Sequence, residues 1–212
     1  MSFDFDAPVE RAGSDSTKWG RYAGRDIIPL WVADMDFAAP PAVVEALHRR
    51  VEHGVFGYNQ PTASQVDAVT GYLERHFDWC IDPAWIVWLP GLVSGLNIAC
   101  HAVGDSGDAV FTATPIYPPF LTAPENFGRR TVSAPLVRDS AGWLWDFPTV
   151  DAVLGSSKAK LFLLCHPHNP TGRVWNEDEL WQLALLAEKH DLVMCSDEIH
   201  NGLLLDPGCR HR

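Results

Sequence analysis

Residues 161–175 read LFLLCHPHNPTGRVW, and this stretch decides the fold. Leu161 to Cys165 form a short unbroken apolar run, the pattern of a strand covered on both faces. His166, His168, Asn169, two prolines and Gly172 follow at once, and such residues build turns. The polar groups have three readings: a metal site, the rim of a cofactor pocket, or turn chemistry alone. H-x-H beside prolines lacks the helical histidine pairing or CxxC knuckle that makes zinc ligation specific, so no metal is expected.

The same alternation continues outward. Downstream, NEDELWQLALLAEKH is an amphipathic helix and LVMCS a second buried strand. Upstream, WIVWL (85–89) reads as a strand leading through Pro90 and Gly91 into helical LVSGLNIACHAV. AVFTA (109–113) leads through TPIYPPF into a short helix near Ala123 to Asn126, RTVSAPL returns as a strand, and FPTVDAVLG is a short helix. AVVEALHRRVEHG, with Pro41 before it and Gly54 closing it, and SQVDAVTGYLERHF read as two further helices. Strands alternating with helices predict an α/β fold, a mainly parallel sheet with helices on both faces. Residues 1–40 are loop-rich and read as an N-terminal arm, with 41–212 as the large domain.

The 16 Lys and Arg against 27 Asp and Glu give a net charge of −11, and no basic run offsets it, which argues against nucleic acid as a partner. The N-terminus, MSFDFDAPVERAG, carries acids where a secretory signal carries basic residues, and no apolar run spans a bilayer. A cytoplasmic chain without membrane contact is expected. The five cysteines are scattered and odd in number, which suits free thiols. Trp85, Trp88, Trp143 and Trp145 read as core or interface packing.

Ligands of such sheets bind at the carboxyl ends of the strands. Four rim segments result: Pro90 to Ser94, Thr114 to Tyr117, Cys165 to Gly172, and Asp197 to His200. Gly91 lets the backbone approach an anion at a helix N-terminus, a phosphate above all, although glycine in such a turn also serves packing. Tyr117 can stack on a planar ring or pack near a helix start. Asp197 can hold a proton on a heteroaromatic nitrogen or cap a turn.

Together these segments resemble a family. SDEIH, NPTGRVW, TPIYPPF, PGLVSGL, WVADMDF and VEHGVFGY, in this order-preserving set along essentially the whole chain, are similar to fold-type I pyridoxal-phosphate enzymes of the class I/II aminotransferase superfamily. More narrowly they resemble the MalY/PatB-type cystathionine (carbon–sulfur) β-lyases, on WVADMDF, on YPPF and on His200, where transaminases of this group commonly carry Tyr. The resemblance implies a pyridoxal 5'-phosphate cofactor. Asp197 would pair with its pyridinium nitrogen, Asn169 with its phenolic oxygen, and Tyr117 would stack on its ring, with His200 beside them. Amides of Leu92 and Val93 would hold the phosphate, and Tyr58 would reach the phosphate of a neighbouring subunit in a homodimer. Cys165, His166 and His168 become supporting or packing residues.

The implied reaction is β-elimination from a small amino-acid substrate, cystathionine or another cysteine conjugate, to thiol, pyruvate and ammonia. The alternatives are an aminotransferase and a non-catalytic partner-binding module. The resemblance also implies an N-terminal part of such an enzyme, because the family's Schiff-base lysine lies downstream of SDEIH. The lysines present, Lys18, Lys158, Lys160 and Lys189, fall elsewhere and read as solvated surface residues.

Overall fold

The computed structural model describes residues 3–140 and 142–212, and its contacts divide the chain into two units, one up to Gln60 and one from Pro61 to Arg212. In the first unit a short helix α1 (Thr17–Gly20) starts at Ser16, whose hydroxyl accepts from the Trp19 amide. Helix α2 (Pro41–His53) starts on a proline, which needs no amide partner there, and stops at Gly54, whose φ of 72° puts it in the left-handed region. Between them the segment WVADMDF is tied down through its acids. Arg11 donates to Asp34 at 2.6 Å and to Asp36 at 3.1 Å, while Lys18 Nζ donates to Asp36 at 2.8 Å and to the Asp34 carbonyl at 2.9 Å. Trp19 Nε1 adds a bond to Asp36 at 2.9 Å. Hydrogen bonds from Lys18, then Trp19, hold the Asp36 carboxyl below its usual range. Lys18 is therefore buried at 7% exposure, which corrects its reading as a solvated residue.

The second unit begins with α3 (Ala63–Phe77), entered through a capping box in which Thr62 and Gln65 satisfy each other's backbone amides. After one 3-10 turn (Pro83–Trp85) come α4 (Leu92–Ala102), β1 (Ala109–Thr114), α5 (Pro119–Asn126), β2 (Arg130–Pro135) and a small hairpin, β3 (Val137–Asp139) and β4 (Gly142–Leu144). Then follow α6 (Phe147–Ser157), β5 (Ala159–Cys165), α7 (Glu177–Lys189) and β6 (Val193–Asp197). The main sheet has the order β2-β1-β5-β6, and every pair in it is parallel.

Strand periodicity sorts the apolar run of β5 between two layers. Phe162 and Leu164 join Phe111, Trp145, Trp175 and Leu183 on one face, under α6 and α7. Leu161, Leu163 and Cys165 join Val110, Leu96, Cys100 and Phe120 on the other, under α4 and α5. The run is continuous because both faces are covered, as the sequence predicts. Thr112, a buried hydroxyl in the midst of this, donates to the Leu163 carbonyl at 3.0 Å.

The sequence reading needs three corrections. Residues 85–89 form no strand: Trp85 closes the 3-10 turn, Val87 is 75% exposed and the segment pairs with no neighbour among the described residues, so β-branched propensity has no ladder to join. Trp85 and Trp88 lie in this exposed region, whereas Trp143 and Trp145 do pack into the core. Helix α5 begins at Pro119, four residues before the expected Ala123, since prolines are tolerated in a first turn.

Candidate cofactor site

The parallel sheet delivers three rim turns to one edge, and hydrogen bonds knit them together. After β1, Ile116 is buried in the α4/α5 layer while the neighbouring Tyr117 stays 39% exposed at the surface. The Tyr117 amide donates to the Asn169 carbonyl at 3.0 Å, which joins the turn after β1 to the turn after β5. Cys165 pairs in register with Asp197, and the His166 amide donates to the Asp197 carbonyl at 3.0 Å, which joins the turns after β5 and β6. Tyr117, Asn169 and Asp197 thus stand at the carboxyl ends of three adjacent strands in spatial order.

Asp197 is half-buried, and one of its oxygens accepts the Ile199 amide at 3.1 Å. The turn-capping reading of this acid therefore holds, and its carboxylate stands half-buried at the rim. His200 follows within that turn, where its carbonyl accepts from Leu203 at 2.9 Å. Leu92 and Val93 open α4 behind Gly91, which serves as N-cap with φ 131° and ψ 156° and brings no side-chain cap. The helix ladder starts with the Gly95 amide, which donates to the Gly91 carbonyl at 3.1 Å, so the amides of Leu92, Val93 and Ser94 precede it. Tyr58 belongs to the first unit and is fully exposed.

The remaining polar residues of the decisive stretch support the turn. His166 is 1% exposed and accepts from the Trp175 amide at 3.4 Å, and its ring stacks on His211 at 4.3 Å. His168 is 2% exposed and meets the Thr171 hydroxyl at 2.9 Å. Burial pushes both imidazoles down to about 4, with His211 adding to the effect on His166, so both rings are neutral at physiological pH. Among the described residues no three His, Cys, Asp or Glu side chains are grouped to hold a metal. Arg173 is committed to Glu179 at 2.5 and 2.7 Å, and Glu179 in turn caps α7. The sequence reading gave Arg173 no role; its signal was the N-x-x-E capping spacing that follows it.

Lys158, Lys160 and Lys189 all lie at the opposite edge. Lys158 and Lys160 flank the start of β5, and Lys189 ends α7 just before β6. From Lys160 to Cys165 the strand advances five residues, roughly 16 Å at the usual rise. Of these lysines, Lys189 is paired with Asp151 at 2.7 Å.

Residues 25–210 match the family model described as aminotransferase class I and II. The chain belongs to this family. Among curated family relatives, cystathionine beta-lyase PatB of Bacillus subtilis is 39% identical over 206 residues, covering 95% of this chain and 53% of PatB. Among solved structures, OvoB superposes with a TM-score of 0.92 at 44% identity, over 99% of this chain and 55% of that one. Cystalysin from Treponema denticola, whose crystal structure contains pyridoxal 5'-phosphate, gives 0.91 at 33% identity, over 100% of this chain and 55% of its own. The chain spans about half the length of the relatives it matches, and its architecture is the aminotransferase-like α/β sheet. No helix among the described residues is long and apolar enough to cross a membrane.

Proposed function

We propose that this chain supplies the cofactor-holding face of a pyridoxal-phosphate-dependent carbon–sulfur β-lyase. The substrate class is a small amino acid bearing a β-thioether, cystathionine or another cysteine conjugate, cleaved to thiol, pyruvate and ammonia. The observation that carries this is the rim itself: an uncapped helix N-terminus at Gly91, an exposed ring at Tyr117, and Asn169 and Asp197 at the carboxyl ends of the two strands beyond.

These residues fit the cofactor. A Cβ at Gly91 would meet nothing within 4 Å, so the space in front of the first-turn amides is open, and amides at a helix N-terminus favour a phosphate. Amides of Leu92 and Val93 would hold that phosphate. Tyr117 would lie against the ring, Asn169 would donate to its phenolic oxygen, and His200 would stand alongside. The Asp197 carboxylate would keep a proton on the ring nitrogen, because an anion opposite a cation stabilises the charged form. The bound cofactor supplies an electron sink for the substrate's Cα carbanion. Tyr58 would serve the site of a second copy in a homodimer. Residues 1–40 are assigned to the N-terminal arm and residues 41–212 to the cofactor-binding large domain.

An aminotransferase is the second reading, favoured by the family model itself. Pyridoxal-phosphate binding by the chain, followed through tryptophan fluorescence, tests the cofactor assignment. Asp197→Asn keeps an oxygen for the Ile199 amide while removing the charge, and should weaken binding about tenfold, the equivalent of ~1.4 kcal/mol. Absence of binding by the unmodified chain overturns the assignment. Pyruvate release from cystathionine, measured against keto-acid-dependent amino transfer in the chain joined to a relative's downstream half, separates lyase from aminotransferase.

A further inference from the structure

Cys165 ends β5 and is 4% exposed. Its thiol donates to the Pro167 carbonyl at 3.4 Å, and its sulfur accepts the Asn169 amide at 3.3 Å. The carbonyl of that same Asn169 takes the Tyr117 amide at 3.0 Å. One sulfur therefore ties a strand end to the residue four positions on, and that residue ties down the next rim turn. We propose that Cys165 is a positioning residue of the cofactor site, fixing the Asn169 backbone and, through it, the turn that carries Tyr117. The proposal rests on the cofactor reading above.

Three features support it. A cysteine can donate and accept together only as a thiol, and burial, with the Asp197 carboxylate adding, pushes this one up to about 11, so the S–H persists at neutral pH. Each sulfur hydrogen bond is weak, but the bond to Pro167 is buried and the one from the Asn169 amide part-buried, so leaving that amide unmet carries a desolvation cost. The neighbouring thiol makes the contrast: Cys195 on β6 lies against the same apolar layer and makes no side-chain hydrogen bond among the described residues. Burial of a thiol alone does not produce the bridge; the position at the strand end does.

The test uses the full 212-residue chain with Cys165→Ala, Cys165→Ser and, as a matched control, Cys195→Ala. Amide hydrogen exchange at Asn169 and Tyr117 is read without cofactor, and pyridoxal-phosphate affinity is read by fluorescence. Cys165→Ala should speed exchange at both amides, and weaken cofactor binding, by about tenfold, while Cys195→Ala changes either by less than about twofold. Cys165→Ser, which keeps a donor and an acceptor, should recover much of the loss. Unchanged exchange in Cys165→Ala, an equal effect from Cys195→Ala, or a serine variant no better than alanine would each overturn the proposal. If the alanine variant does not fold, Cys165→Ser against Cys165→Val makes the same comparison. If the unmodified chain binds no pyridoxal phosphate, the cofactor reading falls, and the exchange data alone decide whether Cys165 holds the turn.

Discussion

Arg173 grips Glu179 through a single nitrogen, Nη2, set 2.5 and 2.7 Å from the two carboxylate oxygens. The same carboxylate accepts the Asn176 amide at 2.8 Å, while Asn176 accepts the Glu179 amide at 2.9 Å. The turn after β5 and the start of α7 are therefore one unit, locked by a reciprocal cap and an ion pair. Glu179→Ala breaks both and leaves Arg173 without its partner. It should cost about 1–3 kcal/mol of stability in urea unfolding. Glu179→Gln, which can still cap, should cost less. Equal losses in the two variants would show that the cap carries nothing.

Gly91 tests the phosphate. Its φ of 131° lies where side chains are strained, so Gly91→Ala shifts the backbone at the start of α4. Affinity for pyridoxal phosphate should fall about tenfold, whereas affinity for pyridoxal, which lacks the phosphate, should change by less than about twofold. Parallel losses for both ligands would place the defect outside the phosphate cradle.

The buried histidines His166 and His168 make stability depend on acid. Their rings sit at about 4 when folded, below the ordinary value of 6.5. The unfolded chain therefore takes up protons first as pH falls. Stability is fully present above pH 6.5 and is lost progressively between 6.5 and about 4, by at most roughly 3 kcal/mol per ring. His168→Asn should flatten the pH dependence of the urea midpoint relative to the unmodified chain across this window. An identical slope in the two proteins would contradict the assignment.

The lysines define a labelling experiment. Lys158, Lys160 and Lys189 stand at the amino-terminal edge of the sheet, and Lys18 Nζ is engaged by Asp34 and Asp36. Borohydride reduction after incubation with pyridoxal phosphate should give weak labelling spread over the exposed lysines. Peptide mapping checks this. One equivalent fixed on a single lysine would require an amine at the rim that the geometry does not place there.

Much of this was legible in the sequence because its signals are local. The run Leu161 to Cys165 marks a strand covered on both faces, and Thr62 with Gln65, like Asn176 with Glu179, announces a helix start. That Tyr117, Asn169 and Asp197 fall at the carboxyl ends of parallel strands was legible by a topological rule. What failed depends on partners distant in the chain. Residues 85–89 have strand composition but no pairing neighbour among the described residues, and composition cannot report a missing neighbour. Lys18 is buried by acids 16 and 18 residues away. The hairpin of β3 and β4 has three residues per strand, too few for a periodic pattern to register. The bridging role of Cys165 depends on a main-chain path folding back within reach of one sulfur, and residue spacing does not encode that path.

The ribbon Trp31 to Phe37 carries two aspartates, yet Arg11 and Lys18 answer them one for one. Its charges close on themselves, and what it turns outward is Val32, Met35 and Phe37, each about half exposed or more. Its two acids and two bases cancel locally, so the net charge of −11 is carried elsewhere in the chain, and the outward surface of this acidic-looking motif is apolar and neutral.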